Sequence, residues 1–388
     1  MPILNRAAEM QDEIAGWRQH LHQNPELNFD VFKTADFVVE RLKEFGCDEI
    51  VTGLGKTGVV GVIKGRKGDG RTIGMRADMD ALPILETTGR PYASQNPGLM
   101  HACGHDGHTA MLLGAAKYLA ETRNFAGSVA VIFQPAEEGG GGGNEMVKEG
   151  MMERFSIGKV FGMHNMPGLP VGQFATRPGP IMASTAEFTI KIKGRAGHAA
   201  FPQTSIDPIV ISSQVVLALQ TIASRSADPI EALVVSVTKI HGGDAWNIIP
   251  EQVELNGTVR TLKKEMGALA RDRMHQICKG IAEAHGATID IDYDANYPVT
   301  VNHPEETVFA SDVATEVAGE PNVHRAIPPV MGGEDFSYML EARPGNFIFI
   351  GNGNSANLHN DKYDFNDEAI PHGVSYWVRL AEASLPPA

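Results

Sequence analysis

The chain has 388 residues, of which 43% are hydrophobic and 21% are charged, and its formal net charge is −14. This length suffices for two or three domains of ~150 residues each. The acidic balance argues against nucleic acid or an anionic membrane as a partner, because both are bound through basic surfaces. Three scattered cysteines, Cys47, Cys103 and Cys278, are too few for a disulfide scaffold, and no apolar targeting segment opens the sequence. We therefore expect a reduced, cytoplasmic protein.

Strands and helices alternate over the first 165 residues or so. Hydrophobic spacing of the helical kind predicts helices over residues 9–21, 34–45 and 109–119. Short apolar runs predict strands over residues 59–63, 72–75, 129–133 and 160–163. This alternation favours an α/β sheet with helices on both faces.

The middle of the chain has a different order of elements. The pattern predicts a strand over 187–193, a helix over 207–224, strands over 233–240 and 252–260, a helix over 265–285 and a strand over 288–292. This βαββαβ order is the ferredoxin-like arrangement. After it, residues 305–317, 347–350 and 368–385 return to the α/β pattern. The sequence therefore predicts a discontinuous α/β domain, residues 1–181 and 297–388, with a ferredoxin-like domain of residues 182–296 inserted into it.

Residues of the kinds that bind metals cluster in five places, several of them directly after a predicted strand. The clusters are Asp78 with Asp80, the run of His101, Cys103, His105 and His108, the pair Glu137 and Glu138, His164, and His359. Functional groups in open α/β sheets gather at the carboxyl ends of the strands. A thiolate, imidazoles and carboxylates together suit Zn²⁺ or a borderline ion such as Mn²⁺, Co²⁺ or Ni²⁺.

Glu137 and Glu138 are adjacent carboxylates followed by five glycines, Gly139 to Gly143. Neighbouring side chains on a regular strand point to opposite faces. The glycines can supply a bent backbone that lets one carboxylate bind metal while the other reaches a metal-bound water. Such a water has a pKa near 7, so a carboxylate can accept its proton at neutral pH.

Six motifs together carry a family resemblance: RADMDALP, MHACGHDGH, QPAEEGGGG, GMHN, GRAGHAAFP and MGGEDFSY. The chain resembles the N-acyl amino acid amidohydrolases, the hippurate hydrolase, aminoacylase and auxin-conjugate hydrolase branch of the dinuclear metallopeptidase clan. The resemblance implies a catalytic domain with two divalent metal ions (Zn, Mn, Co or Ni) and an inserted lid or dimerisation domain. It implies metal ligands at Cys103, His105, Glu138, His164 and His359. It further implies Glu137 as the general base and Asp80 as a carboxylate that orients a ligand.

The resemblance also implies three functional residues in the inserted domain. His198 matches a histidine that polarises the scissile carbonyl, often from a partner subunit. Asn247 and Arg260 match residues that bind the α-carboxylate of the substrate, for which an arginine fork is well suited. We therefore expect a homodimer or homotetramer that cleaves the amide of an N-acyl or N-aroyl amino acid, through attack by a metal-bound hydroxide.

The sequence departs from the wider clan at Asp78-Met79-Asp80, where the aminopeptidase and desuccinylase relatives have His-x-Asp. Those relatives also place a carboxylate between the metals, where this branch has the Cys103 thiolate. The identity of the metal stays open, because a thiolate makes the site softer. Three alternatives remain at this point: a dipeptidase or aminopeptidase of the same fold, a non-catalytic metal-binding protein, and a thiol hydrolase that uses Cys103.

Overall fold

The computed structural model describes residues 3–387 and divides the chain into two compact units. The first unit comprises the chain up to Ile181, the segment Val301–Pro328 and the chain from Asp335 onward. The second unit comprises Met182–Thr300 together with Pro329–Glu334. The short segment Pro329–Glu334 lies outside the predicted insert of residues 182–296, and nothing in the hydrophobic pattern of the sequence marks it.

The chain up to Ile181 supplies most elements of the first unit. Its helices are α1 (Asn5–Glu9), α2 (Gln11–Gln23), α3 (Phe32–Phe45), α4 (His105–Thr122), α5 (Gly142–Lys148) and α6 (Met151–Arg154). Its strands are β1 (Glu49–Leu54), β2 (Gly58–Lys64), β3 (Thr72–Asp78), β4 (Ser128–Gln134), β5 (Ile157–Met166), β6 (Phe174–Ala175) and β7 (Gly179–Met182). Helix α3 ends where the sequence predicts, because Gly46 adopts the left-handed conformation with φ +74°.

The second unit is an antiparallel sheet with two long helices. Its strands are β8 (Ser184–Lys193), β9 (Gly197–His198), β10 (Leu233–His241), β11 (Ile248–Ile249), β12 (Gln252–Thr261) and β13 (Thr288–Ala295). Its helices are α7 (Pro208–Thr221) and α8 (Lys264–His285). The four long strands are arranged in the order β10-β12-β8-β13, and strands β9 and β11 form a separate short ribbon. The core of this unit lies between the sheet and the two helices, with Ile190, Val215, Leu255 and Met274 fully buried.

The remaining elements complete the first unit. They are β14 (Thr300–Asn302), α9 (Pro304–Ala318), β15 (Val323–His324), α10 (Ser337–Ala342), β16 (Gly345–Gly351) and α11 (Ile370–Ser384). The large sheet has the order β1-β2-β4-β3-β5-β16-β6-β15. Within it, the neighbours β4, β3, β5 and β16 all run parallel to one another, so their carboxyl ends lie along one edge. The predicted fold class, an α/β protein, is confirmed.

Helix α4 is the central helix of the first unit, with 14 of its 18 residues buried. It packs against α2 and α11, and Gly114 lets these helices approach closely. A Cβ atom at Gly114 would lie 2.5 Å from Cδ1 of Ile14 and 2.9 Å from Cγ2 of Val374. This tight packing fixes the amino end of α4, where His105 is located.

Most elements differ from their predicted bounds by one or a few residues, and two of these differences involve site residues. Helix α4 starts at His105 rather than at residue 109, so His105 and His108 lie in its first turn rather than in a loop. Strand β5 extends to Met166, so His164 lies within a strand. In both places the polar ligands interrupt the apolar pattern by which the element is recognised, and the tertiary packing extends the element through them.

Helix α7 and the π-helical turn after it, Pro208–Ser226, are long and apolar enough by composition to cross a membrane. Ile211, Val215 and Leu219 of α7 are nevertheless buried in the core of the second unit. The apolar composition of α7 thus serves, at least on this face, to cover the sheet.

Helix α9 offers a matched pair of substitutions for testing the core of the first unit. Val313 is 2% exposed, whereas Val308 on the same helix is 59% exposed. We expect Val313→Ala to lower the free energy of unfolding by about 2 kcal/mol, because buried methyl groups are lost and a cavity remains. Val308→Ala should change it by less than ~0.5 kcal/mol. Urea unfolding followed by circular dichroism measures both values, and equal effects would contradict this assignment of the core.

Candidate metal centre

The predicted ligands come together at the carboxyl ends of the parallel strands of the first unit. Glu137 and Glu138 follow β4, which ends at Gln134, and His164 lies near the end of β5. His359 follows β16. Cys103 lies in the loop before α4, and His105 is the first residue of that helix. The strands therefore deliver their ligands to one edge of the sheet, as is usual for α/β proteins.

Two of the groups of side chains whose ligand atoms lie within 4.8 Å of one another together contain the five predicted ligands. One group consists of Cys103, Glu138 and His359, and the other consists of Asp78, His105, His108 and His164. The groups adjoin, because Sγ of Cys103 lies 3.4 Å from Nε2 of His164. His105, Glu137 and Glu138 form a further group by the same criterion. The structure thus brings together all five predicted ligands and the predicted base.

The two buried histidines that are predicted ligands, His105 and His164, have defined orientations. Nδ1 of His105 lies 2.8 Å from the carbonyl oxygen of Asp80, and Nδ1 of His164 lies 2.7 Å from that of Asn165. A carbonyl only accepts, so each Nδ1 is the donor and each Nε2 is left to bind a cation. Nε2 of His105 is buried and has no hydrogen-bond partner among the described residues. This is the arrangement that metal-binding histidines adopt in proteins.

Asp80 positions the adjacent glutamates through their backbone. Its Oδ1 accepts the N–H of Glu137 and its Oδ2 accepts the N–H of Glu138, each at 3.0 Å. The preceding residue, Ala136, has a φ of +54°, which turns the chain sharply after β4. A side chain at Gly142 would place Cβ 1.8 Å from the carbonyl oxygen of Pro135, so the bend requires glycine there. The glycine run allows the bend that the sequence predicts.

His359 reaches the centre from a loop. Its φ is +62°, in the left-handed region that few residues with a side chain adopt. Its N–H donates to the carbonyl of Ala102 at 2.8 Å, and its Nε2 lies 3.2 Å from Oε1 of Glu138. The His359 side chain is 53% exposed, whereas His105 is fully buried. A non-glycine residue held in this conformation at a cluster of ligands is typical of a functional site.

The electrostatics of the centre favour a positive charge. Burial alone lowers the pKa of His105, but the charge of Asp78 and the hydrogen bond to Asp80 outweigh it and raise that pKa to about 10. Burial, reinforced by the charge of Glu138, raises the pKa of the Cys103 thiol well above its ordinary value. A cation at this place would stabilise the thiolate and satisfy the unpaired Nε2 of His105.

The donor set fits two divalent metal ions. One thiol, three imidazoles and one carboxylate are the ligand types that Zn²⁺ and the borderline ions Mn²⁺, Co²⁺ and Ni²⁺ prefer. Cys103 belongs to the first group, and its sulfur lies 3.4 Å from Nε2 of His164 in the second group.

Asp78 and His108 belong to the second group of ligand atoms, and sequence reasoning assigned them no role. Nδ1 of His108 lies 2.6 Å from Oδ1 of Asp78, and Nε2 of His108 accepts the N–H of Asn165. Arg76 donates to Oδ2 of Asp78 at 2.7 Å. These contacts occupy both nitrogens of His108 and both oxygens of Asp78. The motifs RADMDALP, MHACGHDGH and GMHN contain these residues: Arg76, Asp78, His108 and Asn165. Spacing along the chain, however, does not distinguish a metal ligand from a residue that positions one.

The other predicted site residues, His198, Asn247 and Arg260, lie in the second unit. His198 is exposed on β9, where it is opposite Ile248 of β11. The carbonyl of Asn247 accepts the N–H of Ala199 at 2.9 Å, so Asn247 and His198 belong to the same ribbon. Arg260 lies apart from this ribbon, on β12.

Comparison with known proteins identifies the family. The family model described as peptidase family M20/M25/M40 matches residues 74–383. Hippurate hydrolase of Campylobacter jejuni is 44% identical over 381 residues, which cover 98% of this chain and 99% of that protein. N-acetylcysteine deacetylase of Bacillus subtilis is 39% identical over 369 residues, which cover 95% of this chain and 96% of that protein.

A solved structure shows the same similarity at the level of the fold. The YXEP protein of Bacillus subtilis, described as a dinuclear metal-binding peptidase from family M20, superposes with a TM-score of 0.84 at 36% identity. The superposition covers 98% of this chain and 100% of that one. The predicted resemblance is confirmed. The chain belongs to peptidase family M20/M25/M40, and it is an amidohydrolase of that family with a dinuclear metal-binding fold.

Proposed function

We propose that this protein cleaves the amide bond of N-acyl or N-aroyl amino acids and releases a carboxylic acid and a free amino acid. The observation that carries the proposal is the buried Glu137 carboxyl group beside the ligands His105 and Glu138. The similarity to hippurate hydrolase over nearly the whole chain supports the substrate class.

Two divalent metal ions, bound by Cys103, His105, Glu138, His164 and His359, would supply Lewis-acid activation of water and of the scissile carbonyl. Glu137 accepts the proton of the attacking water on a carboxylate oxygen. It then delivers that proton to the nitrogen of the departing amino acid, so it acts first as base and then as acid. Glu137 is 7% exposed, and its position is fixed by the hydrogen bond from its N–H to Asp80.

Arg260 and Asn247 bind the α-carboxylate of the substrate. Within residues 3–387 the Arg260 guanidinium forms no hydrogen bond or ion pair, although it is half-buried and burial lowers its pKa. The charge of Glu187 acts on this guanidinium, but Glu187 forms no ion pair with it among the described residues. A half-buried cation that lacks an ion-paired carboxylate favours an anionic ligand. This local cation would also attract an anionic substrate to a protein whose net charge of −14 otherwise repels anions.

His198 donates a hydrogen bond to the scissile carbonyl oxygen. Its Nδ1 accepts the N–H of Ala200 at 3.1 Å, so in the neutral ring the proton is on Nε2. The exposed ring therefore presents an N–H group to a substrate, which is the function of an oxyanion-binding donor.

The predicted lid or dimerisation domain, residues 182–296, lies within the second unit and joins two subunits. Strand β10 is an edge strand, and its Ile240 is 58% exposed. On the neighbouring helix α7, Val210 is 52% and Leu217 is 72% exposed. Exposed apolar side chains next to an open strand edge favour pairing with a second copy of this surface. We propose a homodimer. The three free cysteines support a cytoplasmic location for it.

A substrate panel tests the proposed reaction. We expect the metal-replete enzyme to hydrolyse hippurate-like and acetylated amino acids at least tenfold faster, in kcat/KM, than free dipeptides. Exhaustive chelation should abolish this activity, and Mn²⁺, Co²⁺, Ni²⁺ or Zn²⁺ should restore it. A preference for free dipeptides would instead identify a dipeptidase. Activity that survives metal removal and is lost on alkylation of Cys103 would identify a thiol hydrolase. A metal-replete protein that hydrolyses no substrate of the panel would favour a non-catalytic metal-binding protein.

Replacement of Glu137 tests the proton transfer. Glu137→Gln keeps the shape of the side chain and removes its basicity, so kcat should fall by ~10²–10⁴-fold. The content of bound metal, measured by mass spectrometry, should not change. Glu145→Gln, on the partly exposed face of α5, is the matched control and should leave kcat as it is. A Glu137→Gln variant that keeps more than a few per cent of kcat would remove Glu137 from this role.

Mixing two inactive variants tests both the dimer and the role of His198. His198→Ala should lower kcat by ~10²–10³-fold, as expected for the loss of an oxyanion donor. If His198 acts in the site of the partner subunit, equimolar Glu137→Gln and His198→Ala chains should regain about a quarter of wild-type activity after exchange of subunits. Light scattering should give the mass of two chains. A monomeric mass would disprove the dimer, and a dimer without regained activity would place His198 in its own subunit's site.

A further inference from the structure

His108 lies beside the metal ligands without being available as one. Its Nδ1 lies 2.6 Å from Oδ1 of Asp78, and its Nε2 lies 2.9 Å from the backbone nitrogen of Asn165. A backbone N–H can only donate, so Nε2 is the acceptor and Nδ1 carries the proton. The His108 ring centroid is 4.5 Å from that of His164. His108 is therefore a neutral, buried connector between Asp78 and the backbone of Asn165.

Asn165 joins the two ligands that lie at the junction of the two groups. Its carbonyl oxygen accepts a hydrogen bond from Nδ1 of His164 at 2.7 Å. Its Nδ2 donates to the carbonyl oxygen of Cys103 at 2.6 Å. One asparagine thus determines the ring orientation of His164 and holds the backbone that carries the Cys103 sulfur.

The far end of this hydrogen-bond chain is anchored by Arg76, which is 1% exposed. Its Nη1 donates to Oδ2 of Asp78 at 2.7 Å, its Nε donates to Oε1 of Gln134 at 2.9 Å, and its Nη2 donates to Oδ1 of Asp335 at 2.9 Å. Three acceptors fix the guanidinium, and the guanidinium fixes the Asp78 carboxylate. Asp78 consequently holds His108 against a rigid support.

Two further residues close the packing around Asn165. Oη of Tyr363 donates to Oδ1 of Asn165 at 2.8 Å. A Cβ atom at Gly104 would lie 2.3 Å from Nδ2 of Asn165 and 2.4 Å from Oη of Tyr363. Gly104 also has a φ of +88°, so a side chain is doubly disfavoured there. The loop that carries Cys103 can approach Asn165 only because residue 104 has no side chain.

We propose that His108 and Asn165 are positioning residues that set the separation of the Cys103 sulfur from Nε2 of His164, which is 3.4 Å. Through these two residues, the Arg76–Asp78 pair fixes the position of the Cys103 sulfur relative to His164. The inference rests on the proposed metal centre, and it adds residues that bind neither metal nor substrate. Partners of this kind typically change metal affinity by roughly 10–100-fold when they are replaced.

The test compares two replacements of His108 in the full-length, zinc-loaded protein. The amide of Asn coincides with the Nδ1 position, so His108→Asn keeps the contact with Asp78 and loses the acceptor for the N–H of Asn165. The amide of Gln coincides with the Nε2 position, so His108→Gln can keep that acceptor. Competition with a chromogenic chelator measures the affinity for Zn²⁺. Co²⁺ substitution reports the thiolate contact through the sulfur-to-cobalt charge-transfer absorption.

We expect His108→Asn to weaken zinc binding by roughly 10–100-fold and to diminish the charge-transfer absorption. His108→Gln should recover part of both. His22→Asn is the matched control, because His22 is also fully buried and lies 2.8 Å from a carboxylate, Asp106, but contacts neither Cys103 nor His164. An unchanged zinc affinity and cobalt spectrum in His108→Asn would overturn the inference, and so would an equal loss in His22→Asn.

Tyr363→Phe keeps the inference testable if the His108 variants do not fold. It removes only the hydroxyl that donates to Asn165, so the fold should persist while zinc affinity falls several-fold and the cobalt spectrum shifts. Wild-type values for both readouts in folded Tyr363→Phe would then count against the role of Asn165. A wild-type protein that binds no Zn²⁺ would instead defeat the proposed metal centre itself, so the two failures are distinguishable.

Discussion

The central physical constraint on this protein is the crowding of acidic and thiol groups into a volume with almost no solvent. Asp78, Asp80 and Asp335 are at most 1% exposed, and Cys103 is 7% exposed. Like charges that are buried close together repel strongly. Burial raises the pKa of Asp335 to about 6 in spite of the neighbouring Arg76. Stability at this edge of the sheet therefore depends on positive charge, which the Arg76 guanidinium supplies and which bound metal ions would add.

The parallel strands explain why this crowding occurs where it does. Strands β4, β3, β5 and β16 are neighbours and run in one direction, so every segment that leaves them leaves at the same edge. The apolar strands themselves form the core below the site; Phe133 and Phe347 are fully buried. A rigid sheet with a rigid central helix fixes the ligands more accurately than long loops would.

Much of this could be predicted from the sequence. The apolar runs predict β2, β3, β4 and β5 of the large sheet, whereas β1, β6 and β15 have no predicted counterpart. The βαββαβ order of the second unit follows from hydrophobic spacing alone. The chemistry of Cys103, His105 and the Glu137–Glu138 pair identifies a metal-binding edge, because grouped ligands of these types are rare. The extension of β5 through His164 could not be predicted, since polar ligands break the apolar pattern that marks a strand.

The hydrogen bonds that position the metal ligands could not be predicted from the sequence either. Arg76 and Asp335 are 259 positions apart, and only the tertiary fold brings them to 2.9 Å. For His108, the sequence shows a histidine in a cluster of ligands, and only the hydrogen bonds at both nitrogens show that it is a support. Residue type thus indicates which groups can bind a metal, while the hydrogen-bond partners determine which of them are free to do so.

The carboxylate of Asp80 couples the positions of Glu137 and Glu138. Its two oxygens accept hydrogen bonds from consecutive backbone N–H groups, so a displacement of Glu138 is transmitted through the same carboxylate to Glu137. An ion of different radius at this centre would therefore displace Glu137, the proposed proton acceptor, together with Glu138. Exchanging one metal for another would thus alter the proposed reaction through the position of Glu137 as well as through the acidity of the ion.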